Sequence, residues 1–258
     1  MKLKVLTLNC GKGYVAGLYD FLEKTLQKNE YDFVLLQEFS SSNAEWFKSN
    51  IENYKILRVF DKEINMESEL AIVYRKDFIL KESQLYLFNH FLKANLKRPE
   101  FGFLLGKFKI PQSELIIGSI HSSAVLYFNA RSREAKFAKK CLLDFNPDSL
   151  PIIFGGDFNS GLPGEKTRNN KIFRPDFINL TINSGVTVNS RYVEPRPGWW
   201  LNVISVFFAK FGLGICMDVD HIFVDKKTAK THASSCKVFP DRISDHSAME
   251  VSLSTVKN

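Results

Sequence analysis

Short apolar segments bounded by polar or turn-forming residues recur along the chain. They are LKVLTL (3–8), DFVLLQ (32–37), LAIVYR (70–75), LYLF (85–88), FLLGKFKI (103–110), ELIIGSI (114–120), PIIF (151–154), DHIFV (220–224) and AMEVSL (248–253). Their length, β-branched content and polar borders predict strands, several of them buried on both faces. Two helical patterns lie between them. In 14–28, Val15, Leu18, Leu22 and Leu26 fall at spacings of three and four. In 131–145, Ala135, Ala138, Leu142 and Phe145 do the same, with Arg131, Arg133, Lys136, Lys139 and Lys140 expected mostly on the remaining surface. Long sheets with few covering helices indicate an α/β or α+β sandwich.

The densest apolar stretch is PGWWLNVISVFFAKFGLGICM (197–217). Asn202, Ser205, Lys210, Gly212 and Gly214 interrupt it, and its longest apolar run falls well short of the roughly 20 residues a membrane span needs. No transmembrane segment is expected. At helical pitch Trp200, Leu201, Val203, Ile204, Phe207, Phe208 and Phe211 share a broad face. The segment either packs on the core or forms an apolar flap that touches lipid or substrate.

A hydrophobic content of 45%, with 13% aromatics, suffices for a packed core in 258 residues, and no linker, repeat or low-complexity block divides them. One domain over 1–258 is expected. Cys10, Cys141, Cys216 and Cys236 show no C-x-x-C spacing, which argues against a zinc ribbon or a compact disulfide framework. They read as free thiols in a reducing compartment. The N-terminus MKLKVLTLNC reads as a first strand rather than a signal peptide, so a cytoplasmic location is expected. A net charge of +7 and a pI near 9.1 fit a polyanionic partner such as nucleic acid. The oligomeric state is not legible from these features.

Chemistry collects at strand ends. GGDFNS (155–160) follows an apolar run, and its two glycines would let the backbone approach a ligand closely. If the extended geometry persists, Asp157 and Asn159 point the same way, as suits a phosphate or a metal-bound water. The alternative is a loop in which Asp and Asn cap the turn. The same pattern recurs elsewhere. Asn9 and Glu38 end strands, Glu69 opens one, His121 ends another, Asp220 and His221 begin DHIFV, and Asp245 and His246 precede the last strand. Active sites are commonly built where rigid strands end and solvent can still enter.

Taken in order, TLNC, LLQE, SIHSS, GGDFNS, DVDHIFV and SDHSAME resemble the motifs of the endonuclease/exonuclease/phosphatase superfamily, the DNase I-like fold, from Asn9 to His246. The resemblance implies a four-layered α/β sandwich with two central sheets and a site at the rim where their strand ends meet. It makes Glu38 the principal ligand of Mg2+, or of Mn2+ in its place, helped by Asn9 and Asp245. It pairs His246 with Asp220 and makes His121 a second imidazole on the leaving-group side, oriented by Glu69. It sets Asn159 against the scissile phosphate, with Asp157 aligning the attacking water or its metal. The reaction so implied is in-line hydrolysis of a phosphoric ester.

Two positions depart from the family pattern. Gly11 stands where many relatives carry a polar ligand, which argues against a second metal position. His221 replaces a tyrosine, and strand alternation turns it away from Asp220. His90 and His232 match no motif and read as structural. Shared catalytic residues do not distinguish substrates within the superfamily. The imidazole at His121 is nearer the DNase I and sphingomyelinase branches than the abasic-site endonucleases. Lys166, Arg168, Lys171 and Arg174, just after GGDFNS, either line a groove for a nucleic-acid backbone or form a solvated loop. Three readings follow. The first is a Mg2+-dependent nuclease. The second is a phospholipid phosphodiesterase using 199–211 as an interfacial element. The third is a catalytically dead binding module, disfavoured because the whole residue set is retained.

Overall fold

The computed structural model describes residues 2–11, 17–28, 30–61, 66–88, 101–111, 113–123, 128–160, 165–181, 188–189, 216–217, 219–239, 244 and 246–255. In chain order the elements are β1 (Lys2–Asn9), α1 (Leu18–Gln27), β2 (Phe33–Gln37), α2 (Ser41–Asn50), β3 (Tyr54–Leu57), β4 (Phe60–Asp61), β5 (Met66–Glu67), β6 (Ala71–Arg75), β7 (Ile79–Leu87), β8 (Gly102–Ile110) and β9 (Ser113–His121). There follow α3 (Phe128–Asp144), β10 (Ile152–Asp157), α4 (Glu165–Phe173), β11 (Phe177–Asn179), β12 (Val188–Asn189), β13 (Cys216–Met217), β14 (Asp220–Asp225), α5 (Lys226–Thr231), β15 (His232–Val238) and β16 (Met249–Thr255).

Two six-stranded mixed sheets pack against each other, ordered β15-β16-β1-β2-β6-β3 and β11-β14-β10-β9-β8-β7. Strand alternation explains the layering. Val5, Phe33, Leu35 and Ile72 of the first sheet meet Leu104, Ile117, Ile153 and Ile222 of the second in a dry inner core. Leu6, Leu8, Val34 and Leu36 face the other way, onto Leu18, Leu22 and Leu26 of α1. On the far side, Leu105, Ile116, Ile120 and Phe154 meet Ala135, Ala138 and Leu142 of α3. Every residue of FVLLQ in β2 is therefore buried, and the apolar runs need no polar alternation. The result is the expected four-layered α/β sandwich, helix on sheet on sheet on helix. Each α1 leucine, fully buried, contributes on the order of 2 kcal/mol.

The core strands and the two patterned helices match expectation, with α1 beginning at Leu18 and α3 at Phe128. Helices α2 and α4 and strand β15 were not expected. The α2 start is fixed by Ser40, whose side chain accepts from the Asn43 N–H at 3.3 Å. One expectation for α3 fails: Arg131 is 2% exposed, on the inward face with Glu134, and not on the surface. The segment 199–211, His90, Asp245 and the side chain of Lys166 lie outside the described residues. Among the described residues no helix is long and apolar enough to cross a membrane.

Candidate active site

Strand register assembles the site. β1 and β2 run parallel, setting Asn9 opposite Gln37, so that both strands end at the same rim with Glu38 next in line. In the second sheet Asp157, the last residue of β10, pairs with His121 of β9 on one side and Asp220 of β14 on the other. Three chemistry-bearing residues thus stand abreast. Gln37 joins the two sheets beneath them, donating from Nε2 to the Ser119 hydroxyl at 3.0 Å, while Ser119 donates to the Leu36 carbonyl at 3.2 Å.

Asn9 crosses between the sheets. Its Oδ1 accepts from the Gly11 N–H at 3.0 Å, which requires oxygen there and turns the nitrogen toward two carboxylates. Nδ2 donates to Asp157 Oδ2 at 3.0 Å and lies 3.5 Å from Glu38 Oε1. His121 Nε2 lies 3.5 Å from Asp157 Oδ2 and 4.0 Å from Glu38 Oε1. His246 places Nδ1 2.8 Å from Asp220 Oδ2 and Nε2 3.6 Å from Asp157 Oδ2. An ionised carboxylate only accepts, so Nδ1 of His246 is the nitrogen that donates to Asp220, and Nε2 is the one turned toward Asp157. Ser244 tethers this corner: its hydroxyl donates to the Asn9 carbonyl at 2.6 Å and accepts from the His246 N–H at 2.9 Å.

The GGDFNS turn departs from the extended geometry. Asn159 has φ 48°, in the left-handed region, and Asp157 Oδ1 accepts its N–H at 2.7 Å. One carboxylate oxygen caps the turn, as the second sequence reading expects, while the other faces His121 and His246. Asn159 donates one amide N–H to the Ser122 carbonyl at 2.8 Å. The two glycines let neighbouring strands approach closely. A Cβ on Gly155 would sit 2.7 Å from the His221 carbonyl, and one on Gly156, at φ 144°, would run into the Ile120 carbonyl. Glu38, at φ 50°, is likewise a non-glycine residue in the left-handed region.

Burial drives the Asp157 carboxyl above the ordinary range. The imidazole of His246 pulls it down, the Asp220 charge adds to the rise, and His121 and the Asn159 N–H lower it again. Burial, then the Glu38 charge, lifts the Cys10 thiol far above the usual thiol range, so Cys10 is neutral packing.

A hard divalent cation fits this donor set. The Glu38 side chain is 16% exposed at the mouth, with carboxylate oxygens as Mg2+ and Mn2+ prefer. Asp157, Asp220 and His246 also offer ligand atoms within 4.8 Å of one another. The hydrogen bond between His246 and Asp220 gives that trio the geometry of an acid–base pair.

Asn9, Glu38, His121, Asp157, Asn159, Asp220 and His246 converge on one rim, joined by the contacts above. Glu69 stands beside them: its carbonyl accepts the Phe39 N–H at 2.8 Å, and its charge acts on the half-buried Arg58. Arg168, Lys171 and Arg174 are exposed on or just beyond α4, with Arg168 Nη1 3.4 Å from the Ser132 hydroxyl. His221 turns away as strand alternation requires, packing against Phe158 and bonding the Ser160 hydroxyl at 3.2 Å. Sequence reasoning missed Gln37, Ser244 and Glu134. Only Gln37 left a signal, as a polar residue closing an otherwise apolar run.

The sequence profile described as Endonuclease/Exonuclease/phosphatase family matches residues 6–246. A search of curated proteins returned no match. Among solved structures, TDP2 of D. rerio complexed with a single-strand DNA product superposes with a TM-score of 0.75 at 16% identity, covering 98% of this chain and 99% of that one. A family protein from Bacteroides thetaiotaomicron gives 0.71 at 17% identity, with 98% of each chain covered. The mannosyl-6-phosphatase of Bacteroides thetaiotaomicron VPI-5482 gives 0.69 at 16%, covering 98% and 99%. At such identities the likeness is one of fold.

Proposed function

Because the chain belongs to the endonuclease/exonuclease/phosphatase family, we propose that it is a divalent-metal-dependent phosphodiesterase that cleaves nucleic acid, with Mg2+ as the ion and Mn2+ its substitute. The observation that carries this reading is the buried Asp220–His246 pair, whose Nε2 lies 3.6 Å from Asp157 at the rim that Glu38 also lines. The same reading takes 1–258 as one catalytic domain working in the cytoplasm.

A divalent ion would be held by Glu38, with Asp245 in reserve, and would supply positive charge against the phosphoryl oxygens. Asn9 contributes by holding the Glu38 and Asp157 carboxylates, its oxygen being turned to Gly11. His246 takes a proton from the attacking water at Nε2, and Asp220 stabilises the imidazolium that results. Asp157 orients that water. Asn159 offers its second amide N–H to a non-bridging oxygen. As the new P–O bond forms and the ester P–O bond breaks in line, His121 gives a proton to the departing oxygen, with Glu69 as its orienting carboxylate.

Nucleic acid is favoured as substrate by the +7 charge and by the exposed Arg168, Lys171 and Arg174 on or just beyond α4, the next described element after Ser160. Lys166 belongs to the same basic run. The solved relative with a DNA product points the same way. The phospholipid alternative rests on 199–211, outside the described residues.

Purified protein is tested with Mg2+ against plasmid DNA, RNA, sphingomyelin vesicles, phosphoinositides and mannose 6-phosphate. Nicking of plasmid that stops with EDTA is expected. Intact plasmid and RNA beside rapid hydrolysis of a lipid or sugar phosphate would overturn the nuclease reading.

A further inference from the structure

Glu134 is a buried carboxylate on the sheet-facing side of α3 that the proposed chemistry does not use. It is 0% exposed, among Ala135, Ala138 and the apolar layer over the second sheet. Such a charge is costly to bury unless it is bonded. Both its oxygens go to one residue: one accepts the Ser123 N–H at 3.0 Å and the other takes the Ser123 hydroxyl. Ser123 closes the His121–Ser122–Ser123 turn at the end of β9. Within that turn the Ser122 N–H donates to the Asp157 carbonyl at 2.9 Å, and the Ser122 carbonyl holds the Asn159 amide at 2.8 Å.

We infer that Glu134 is the positioning residue for the His121 side of the site: by clamping Ser123 it fixes the turn that aims the His121 imidazole and anchors the Asn159 amide. The clamp links two elements, α3 and the end of β9, whose apolar faces also pack together through Ala135, Ala138, Ile116 and Ile120. His121 itself rests edge-on against Phe101, with ring centroids 5.0 Å apart, a contact that tolerates sliding. The backbone that carries the ring is held at Ser123 by Glu134. Burial pushes the Glu134 carboxyl up to about 7, as a group recruited for its bonds and not for its charge would show.

The kinetic arm of the test rests on the phosphodiesterase reading, and the spectroscopic arm does not. The probe is bis(4-nitrophenyl) phosphate with Mg2+. The imidazole NMR signal of His121, one of five histidines, is assigned by its loss in His121→Gln. Glu134→Ala is expected to shift and broaden that signal, and to lower kcat by about 10–100-fold with KM moved less than about 3-fold. Glu134→Gln can accept from the Ser123 N–H and donate to its hydroxyl, so it is expected to restore the signal and bring kcat within about 3-fold of wild type. A folded Glu134→Ala with unchanged His121 signal and kcat overturns the inference. If wild-type protein leaves the diester intact, the functional reading fails while the NMR comparison still decides the role of Glu134. Should Glu134→Ala not fold, Ser123→Ala, which removes only the hydroxyl contact, replaces it. A displaced His121 signal then supports the clamp, and an unmoved one overturns it.

Discussion

His246 meets Asp220 through Nδ1 at 2.8 Å, and its own N–H is bonded to Ser244, which is bonded in turn to the end of β1. His121 sits across the same mouth with Nε2 at 3.5 and 4.0 Å from Asp157 and Glu38, leaning on an aromatic edge, above a turn clamped from α3. The contrast suits the roles proposed for the two rings. A base must keep one tautomer, which a carboxylate on Nδ1 enforces directly. A ring flanked at Nε2 by carboxylate oxygens is placed to donate, and the strand end that carries it is held from α3. One side is marked by a direct bond to a carboxylate, the other by a clamp two residues along the backbone.

Four measurements break or sharpen this contrast. The largest effect belongs to the directly held side: His246→Ala is expected to lower kcat/KM on a phosphodiester by about 1000-fold, and Asp220→Asn by about 100-fold. Initial rates at saturating Mg2+ check this, and a greater loss in His121→Gln would reverse the assignment of base. Next is the strand between them. Gly156→Ala forces a Cβ toward the Ile120 carbonyl at a left-handed φ and should cost about 3 kcal/mol by denaturant unfolding. Gly17→Ala, left-handed but in open space, should cost about 1 kcal/mol.

The third bears on the clamp. The folded pKa of Glu134, about 7, lies above its ordinary value of 4.5. Its contribution to stability is therefore full below pH 4.5 and is lost as pH rises through 7. Wild type should lose up to about 3 kcal/mol relative to Glu134→Gln between pH 4.5 and 8. Parallel unfolding curves at the two pH values test this, and identical pH dependence in the two proteins would refute it. The smallest effect concerns the mouth they share. Glu38→Gln should raise the Mg2+ concentration for half-maximal activity by about 10–100-fold, read from a metal titration of the rate.

The sequence made one class of feature legible and hid another. Strand ends carrying Asn9, Glu38, His121, Asp157, Asp220 and His246 could be read because apolar runs of two-sided strands are unbroken and the polar residue that stops them stands out. Helix α2 buries only Asn43, Ala44 and Phe47, and α4 is almost wholly polar, so neither has a periodic stripe to detect. Strand β15, HASSCKV, is an exposed edge whose pairing with β16 supplies what its composition lacks. Arg131 and Glu134 were invisible for a different reason. A charged residue reads as surface unless its partner is known, and Ser123 reaches Glu134 only through the fold. The glycines of GGDFNS hid a second kind of partner, since they also permit close approach of the neighbouring strands.

The first strand of the chain lies between β2 and the last strand, β16. Residue 9 is tied to residue 244, and the imidazole at 246 arrives with that final stretch. That corner of the rim therefore closes only once stretches of chain 235 residues apart have met.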